Sequence, residues 1–233
     1  MKNSTGRHAL LIGLHLLPGI VFTIILFSVM PHLLNTGVDI FLAQVVLSAI
    51  FLIGLEIVIA QIYCKRFEGK NLWAALNRSG STDLDWRKLG FSLLWGAAAV
   101  GIMKAYFWLA RPLIPSFQNI PVLKLPDWHF QSIGLPSYPQ PFLAILLLFM
   151  IGSNVIGEEI YFRGFLLERL RFLGRWAFIV NGALFILYHF FQAGVTYPSL
   201  PFGILVAGYY AKFRNIWGTM LIHVIFNLGM WLL

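Results

Sequence analysis

A chain of 233 residues that is 59% hydrophobic and only 11% charged, with a mean hydropathy of +0.78, holds more apolar surface than one water-facing domain of this size can hide. Lipid is therefore part of its solvent, and a soluble globular class is excluded. The net charge of +8 does not mark a nucleic-acid binder, because the basic residues are not gathered on one polar module. The single cysteine, Cys64, excludes an internal disulfide and a cysteine-rich metal site.

Crossing a bilayer takes roughly 20 apolar residues in a helix. Hydropathy predicts helices over 9–31, 40–63, 89–110, 142–172, 175–192, 199–212 and 216–233, an all-α membrane bundle of about seven transmembrane helices. The basic start, Met1–His8, leads into an apolar run with Pro18 inside it and no small-residue cleavage site, which predicts a retained first helix rather than a removed signal. Lys2 and Arg7 precede that helix, and Lys65, Arg66, Lys70, Arg78, Arg87 and Lys88 lie between the second and third. Arg169, Arg171 and Arg175, and then Lys212 and Arg214, fall on the same side under alternating threading, while the opposite loops hold only Arg111 and Lys124. This asymmetry places the N-terminus in the cytosol and the C-terminus outside.

Leu72, Trp73 and Leu76 predict a short amphipathic turn on the cytosolic surface. Seven prolines between Pro112 and Pro141 predict an extended external loop. The loop, 112–141, divides an N-terminal set of helices, 1–111, from a catalytic-looking core, 142–233, within one membrane domain. No internal repeat is present.

An ionisable side chain at bilayer depth costs about 2.5–3.5 kcal/mol even on the lenient insertion scale, so each one is a functional candidate. Most of them lie in the back half. The fourth helix carries Glu158, Glu159 and Arg163, the fifth carries Phe185 and His189, and the seventh carries His223 and Asn227. With a hairpin turning near Gly174, Glu158 sits 16 residues before the turn and His189 sits 15 after it. At 1.5 Å per residue both lie roughly 23 Å from the turn, at nearly equal height. Asn227 rises roughly 20 Å above Arg214 on the seventh helix, with His223 one turn lower. Residues four apart share a helix face, which pairs His223 with Asn227 and Glu159 with Arg163. Adjacent glutamates point about 100° apart, so Glu159 is expected to be neutralised by Arg163 and Glu158 to face the cavity.

A carboxylate beside an imidazole can hold a water, take its proton and return that proton to a leaving amine. A histidine and an asparagine amide can stabilise the oxyanion of a tetrahedral intermediate. Together they compose an amide-bond hydrolase that uses no nucleophilic serine or cysteine. Other buried polar residues read as packing: His15, Gln44 and Asn181 as interhelical contacts, and most Phe and Trp as lipid-facing or interfacial. Threading sets Glu56 and Lys104 in different halves of the bilayer, so no ion pair is expected between them.

The motifs Glu-Glu-x-x-x-Arg at 158–163, Phe-x-x-x-His at 185–189 and His-x-x-x-Asn at 223–227 resemble those of the CAAX protease and bacteriocin-processing family, also called the Abi family. The resemblance covers roughly 142–233 and keeps the family's order on successive helices. It implies an intramembrane glutamic endopeptidase of a prokaryotic cell membrane, acting on a membrane-associated peptide or protein tail of CAAX, bacteriocin or signal-peptide type. Carried over by position, Glu158 matches the water-activating glutamate, His189 its partner, and His223 with Asn227 the oxyanion pair. Glu159 and Arg163 complete the first motif. No cofactor is implied.

Two rival readings remain open at this level. Two glutamates and two histidines could hold zinc with an open water position, although no His-Glu-x-x-His is present. A non-enzymatic scaffold, immunity partner or transporter could use the same polar layer, although the inverted repeats and broken midplane helices of transporters are not evident. Membrane lipid and a membrane-associated substrate are the expected partners, and the sequence sets no oligomeric state.

Overall fold

Within hydrocarbon, every backbone N–H and C=O has to find its partner inside the protein, which limits spanning segments to helices and closed barrels. The computed structural model describes residues 4–78, 81–112, 120, 124, 126, 127, 129 and 136–231, and all regular structure among them is helical. Helix α1 spans Ser4–Leu34. A second rod joins α2, Ile40–Ser48, to α3, Glu56–Glu68, through the π-helical stretch Ala49–Leu55. A short α4, Leu72–Arg78, and a long α5, Trp86–Ala110, complete the front half. The Pro-rich loop expected over 112–141 lies for the most part outside the described residues.

The back half starts with α6, Gln140–Glu158, which continues into a π-helix over Glu159–Leu167. After a turn at Arg171–Trp176, in which Gly174 takes φ +56°, α7 runs Ala177–Leu187. Short turns at Phe190–Gln192 and Tyr197–Ser199, with α8, Ala193–Thr196, between them, lead to α9, Leu200–Phe213, and α10, Ile216–Trp231.

Side-chain caps account for several of these boundaries. Asp39 accepts from the Leu42 amide at 2.9 Å to start α2, and Asp85 accepts from the Arg87 amide at 3.0 Å to start α5. Asn215 accepts from the Gly218 amide at 2.6 Å at the start of α10, and its own amide donates to the Asp83 carbonyl at 2.8 Å.

Against seven expected spans, four helices among the described residues are long and apolar enough to cross a bilayer: His8–Leu34, Ile40–Glu68, Trp86–Ala110 and Gln140–Leu167. The remaining helices are shorter, with α7 and α9 at 11 and 14 residues and α10 apolar over Ile216–Met230. The helix expected over 175–192 stops at Leu187, because His189 leaves helical geometry at φ −77° and ψ 46°. Irregular backbone at this depth is tolerable where it lines a cavity rather than lipid, and the stretch after His189 does so.

The outside of the bundle is as apolar as its core, and several charges lie inside. Leu94 is 70% exposed and Trp108 73%, whereas Arg163, Glu159 and Glu56 are fully buried. Aromatic residues divide instead of facing lipid as a class: Phe162, Phe165, Phe185 and Phe202 are buried, while Trp73, Trp86, Trp108 and Trp176 are exposed. The surface turn expected at 72–76 is α4, with Leu72 and Leu76 buried and Trp73 outward.

Small residues let these helices approach closely, as membrane packing favours. A Cβ on Gly182 of α7 would stand 2.6 Å from the carbonyl carbon and oxygen of Gly203 on α9. One on Gly19 of α1 would stand 1.8 Å from the Tyr188 carbonyl oxygen. Gly182→Val is therefore expected to force α7 from α9 at a cost of about 1–3 kcal/mol. A lowered thermal midpoint in detergent would register the effect, and an unchanged midpoint would contradict the packing.

Candidate active site

The fourth span changes its winding where its charges begin. The π-helix over Glu159–Leu167 is wider than an α-helix, and such departures are frequent at functional sites. It is also enclosed: every residue of it except Ile160 is buried, Arg163 included. A guanidinium in such a place needs a carboxylate, and Glu159 supplies one, with Arg163 Nη1 3.2 Å from Glu159 Oε1. The Arg163 guanidinium also lies 3.9 Å from the centre of the Phe185 ring. The expected Glu159–Arg163 pairing is thus present.

Glu159 also orients a histidine. His223 Nδ1 is 2.8 Å from Glu159 Oε1, and its Nε2 is 3.8 Å from Glu158 Oε2. The imidazole of α10 therefore stands between two carboxylates of the fourth span. His189 faces the same acid from the end of α7, with Nε2 3.6 Å from Glu158 Oε1. Its Nδ1 lies 2.9 Å from the Phe185 carbonyl oxygen, four residues earlier. A carbonyl can only accept, so Nδ1 carries the hydrogen and Nε2 is the ring nitrogen turned to Glu158.

Glu158 lines the cavity as expected, and a further residue holds it there: Tyr188 donates its hydroxyl to Glu158 Oε1. Sequence reasoning missed Tyr188, whose only signal was its place beside His189. Buried on all sides, with its carbonyl against Gly19 of α1, it ties the acid to both α7 and α1.

These groups meet at a cavity of about 360 Å³. Glu158, His189 and His223 lie along it with Asn227. Phe202, Phe226 and Met230 supply apolar wall, while Gln192, Thr196 and Ser199 supply polar wall. Asn154, one turn before Glu158, also lines the cavity, and its side-chain oxygen is buried with no hydrogen bond among the described residues. Sequence reasoning passed over it.

Glu56 departs from expectation more sharply. Expected only to be separate from Lys104 and to be solvated or paired elsewhere, it is fully buried within electrostatic reach of Glu158, Arg163 and Glu159, and neither of its oxygens accepts a hydrogen bond among the described residues. The signal available in the sequence was a lone carboxylate in an apolar span. His15, Gln44 and Asn181 are buried as expected. The Asn181 amide donates to the Phe162 carbonyl at 2.9 Å and lies 3.2 Å from His15 Nε2, linking α1, α7 and the π-helix. Among the described residues, no three His, Cys, Asp or Glu side chains are arranged to hold a metal ion.

A helical membrane protein with a carboxylate and two imidazoles at one buried cavity is the class that fold and site define. Residues 139–229 are similar to the family model described as type II CAAX prenyl endopeptidase, Rce1-like. The matched stretch spans all three motifs and covers less than half of the chain. No curated protein and no solved structure matches the chain.

Two substitutions probe this geometry. Arg163→Met strips Glu159 of its countercharge in a place without solvent, and is expected to cost about 3–5 kcal/mol. Tyr188→Phe removes one donor from a buried carboxylate and is expected to cost about 1–3 kcal/mol. Unfolding of the purified variants in detergent measures both, and Tyr188→Phe as stable as the parent would dissociate the hydroxyl from the acid.

Proposed function

We propose that the protein is an intramembrane endopeptidase that hydrolyses a peptide bond in a membrane-associated peptide or protein tail, with a water activated by Glu158 and His189. The observation that carries this reading is the approach of His189 and His223 to Glu158 at a cavity large enough for an extended peptide backbone. A water in contact with the Glu158 carboxylate and the His189 lone pair has an acceptor for each of its protons.

As the water oxygen bonds to the scissile carbonyl carbon, Glu158 takes one of its protons. The carbonyl oxygen becomes an oxyanion, for which the Asn227 amide and the His223 Nε2 edge are the available donors. His223 donates from Nε2 only when both ring nitrogens are protonated, with Nδ1 held on Glu159 and the oxyanion itself answering the added charge. Collapse of the intermediate breaks the carbon–nitrogen bond while Glu158 returns its proton to the departing amine. Tyr188 holds the acid in place throughout, and Arg163 with Glu159 holds His223.

The apolar wall suits a substrate presented from within the bilayer, and the Rce1-like match favours a CAAX-type tail over bacteriocin or signal-peptide processing. Glu158→Ala and His189→Ala should each fold, insert and lose about 10²-fold to 10⁴-fold in turnover. Comparing the membrane peptidome of cells carrying the Glu158→Ala protein with that of the parent reads this out. Unaltered processing in both variants would favour a scaffold.

A further inference from the structure

A second polar cavity, of about 280 Å³, lies away from the candidate active site, at the helix ends that close the opposite part of the bundle. It is lined by Lys70, Arg169, Arg171 and Arg214 against Glu68 and Glu168. Four cations and two anions leave it two positive charges in excess. Arg169 is already spent: its Nε and Nη2 take both oxygens of Glu68 at 2.8 and 2.9 Å, and its Nη1 donates to the Phe165 carbonyl at 2.6 Å. Glu168 is shared between two arginines, with Arg214 Nη2 2.6 Å from Oε1 and Arg171 Nη2 3.2 Å from Oε2. One carboxylate balances only one of them.

Unspent donors remain at this place. The Nε of Arg214 is buried and meets no acceptor among the described residues. The Arg171 side chain is 56% exposed and reaches Glu168 by a single edge. Lys70 is half-buried at the end of the rod. A planar guanidinium with a free edge, beside an ammonium, is a recognition geometry for phosphate.

The depth of the cavity is marked independently. Exposed Trp73 on α4 and Trp176 at the end of the turn Arg171–Trp176 lie close in the chain to Lys70 and Arg171, and amphipathic indole rings settle at the level of lipid headgroups. His8 stacks on Phe172 at 3.8 Å, so the N-terminal end of α1 is at the same level. A basic pocket between helices at headgroup depth is where an anionic lipid presents its phosphate.

We propose that this cavity binds the phosphate of an anionic phospholipid headgroup through Lys70, Arg171 and Arg214, clamping α3, α9 and the end of the fourth span together. The proposal is independent of the chemistry at Glu158. The test is thermal unfolding of the detergent-purified protein with short-chain phosphatidylglycerol, with phosphatidylcholine of the same chain length, and with inorganic phosphate, for the parent and for the double variant Lys70→Gln, Arg171→Gln. Both substituted side chains are outside the candidate active site. The expected result is a rise of several degrees in the parent with phosphatidylglycerol beyond that with phosphatidylcholine, lost in the double variant. An equal rise with inorganic phosphate at the same concentration would assign the cavity to a free anion and overturn the lipid assignment. No difference between the lipids, or the same difference in parent and double variant, would overturn the site altogether.

Discussion

The contact between Arg163 and Glu159 is the constraint around which the back half is organised. A guanidinium with no exposure to water or headgroups has to meet its countercharge inside the bundle. Glu159 meets it and, from the same oxygen, meets His223 at 2.8 Å. One carboxylate thus links the fourth span to α10, and the Arg163 guanidinium over the Phe185 ring links both to α7. The three elements that carry the motifs are therefore joined by charge before any substrate is considered.

Two departures from regular helix accompany this arrangement. The π-helix over Glu159–Leu167 begins between the two glutamates, with Glu159 directed at Arg163 and His223 while Glu158 lines the cavity. The early end of α7 frees His189 from helical geometry while its Nδ1 remains on the Phe185 carbonyl. Close approach of α1 at Gly19 supports the same point from behind, because Tyr188 there spends its carbonyl side on α1 and its hydroxyl on Glu158. The proposed water-activating pair therefore depends on elements from both halves of the chain.

Much of this was legible in the sequence, for identifiable reasons. Apolar runs longer than a bilayer core mark spans whatever they pack against, so the four long helices were placed to within a few residues. Charges at bilayer depth are costly enough to stand out, and equal heights on neighbouring helices were enough to group Glu158, His189 and His223. The spacing of Glu159 and Arg163 made their pairing a local property, which survives the change from α- to π-helical winding because residues four apart remain close. Alternating threading, by contrast, could not place Glu56 beside the motifs. It sorts residues by half of the bilayer and carries no information on which rods pack side by side.

By itself, the sequence determined the solvent of this protein, the positions of its long spans and the identity of its buried charges, since each follows from local composition and from the cost of leaving water. Only the tertiary structure decided that Tyr188 holds Glu158, that His223 stands between two carboxylates, and that Glu56 adjoins the same charged layer. Those facts depend on distances between segments far apart along the chain, such as α1 against Tyr188 and α3 against the π-helix, and no local pattern encodes such distances.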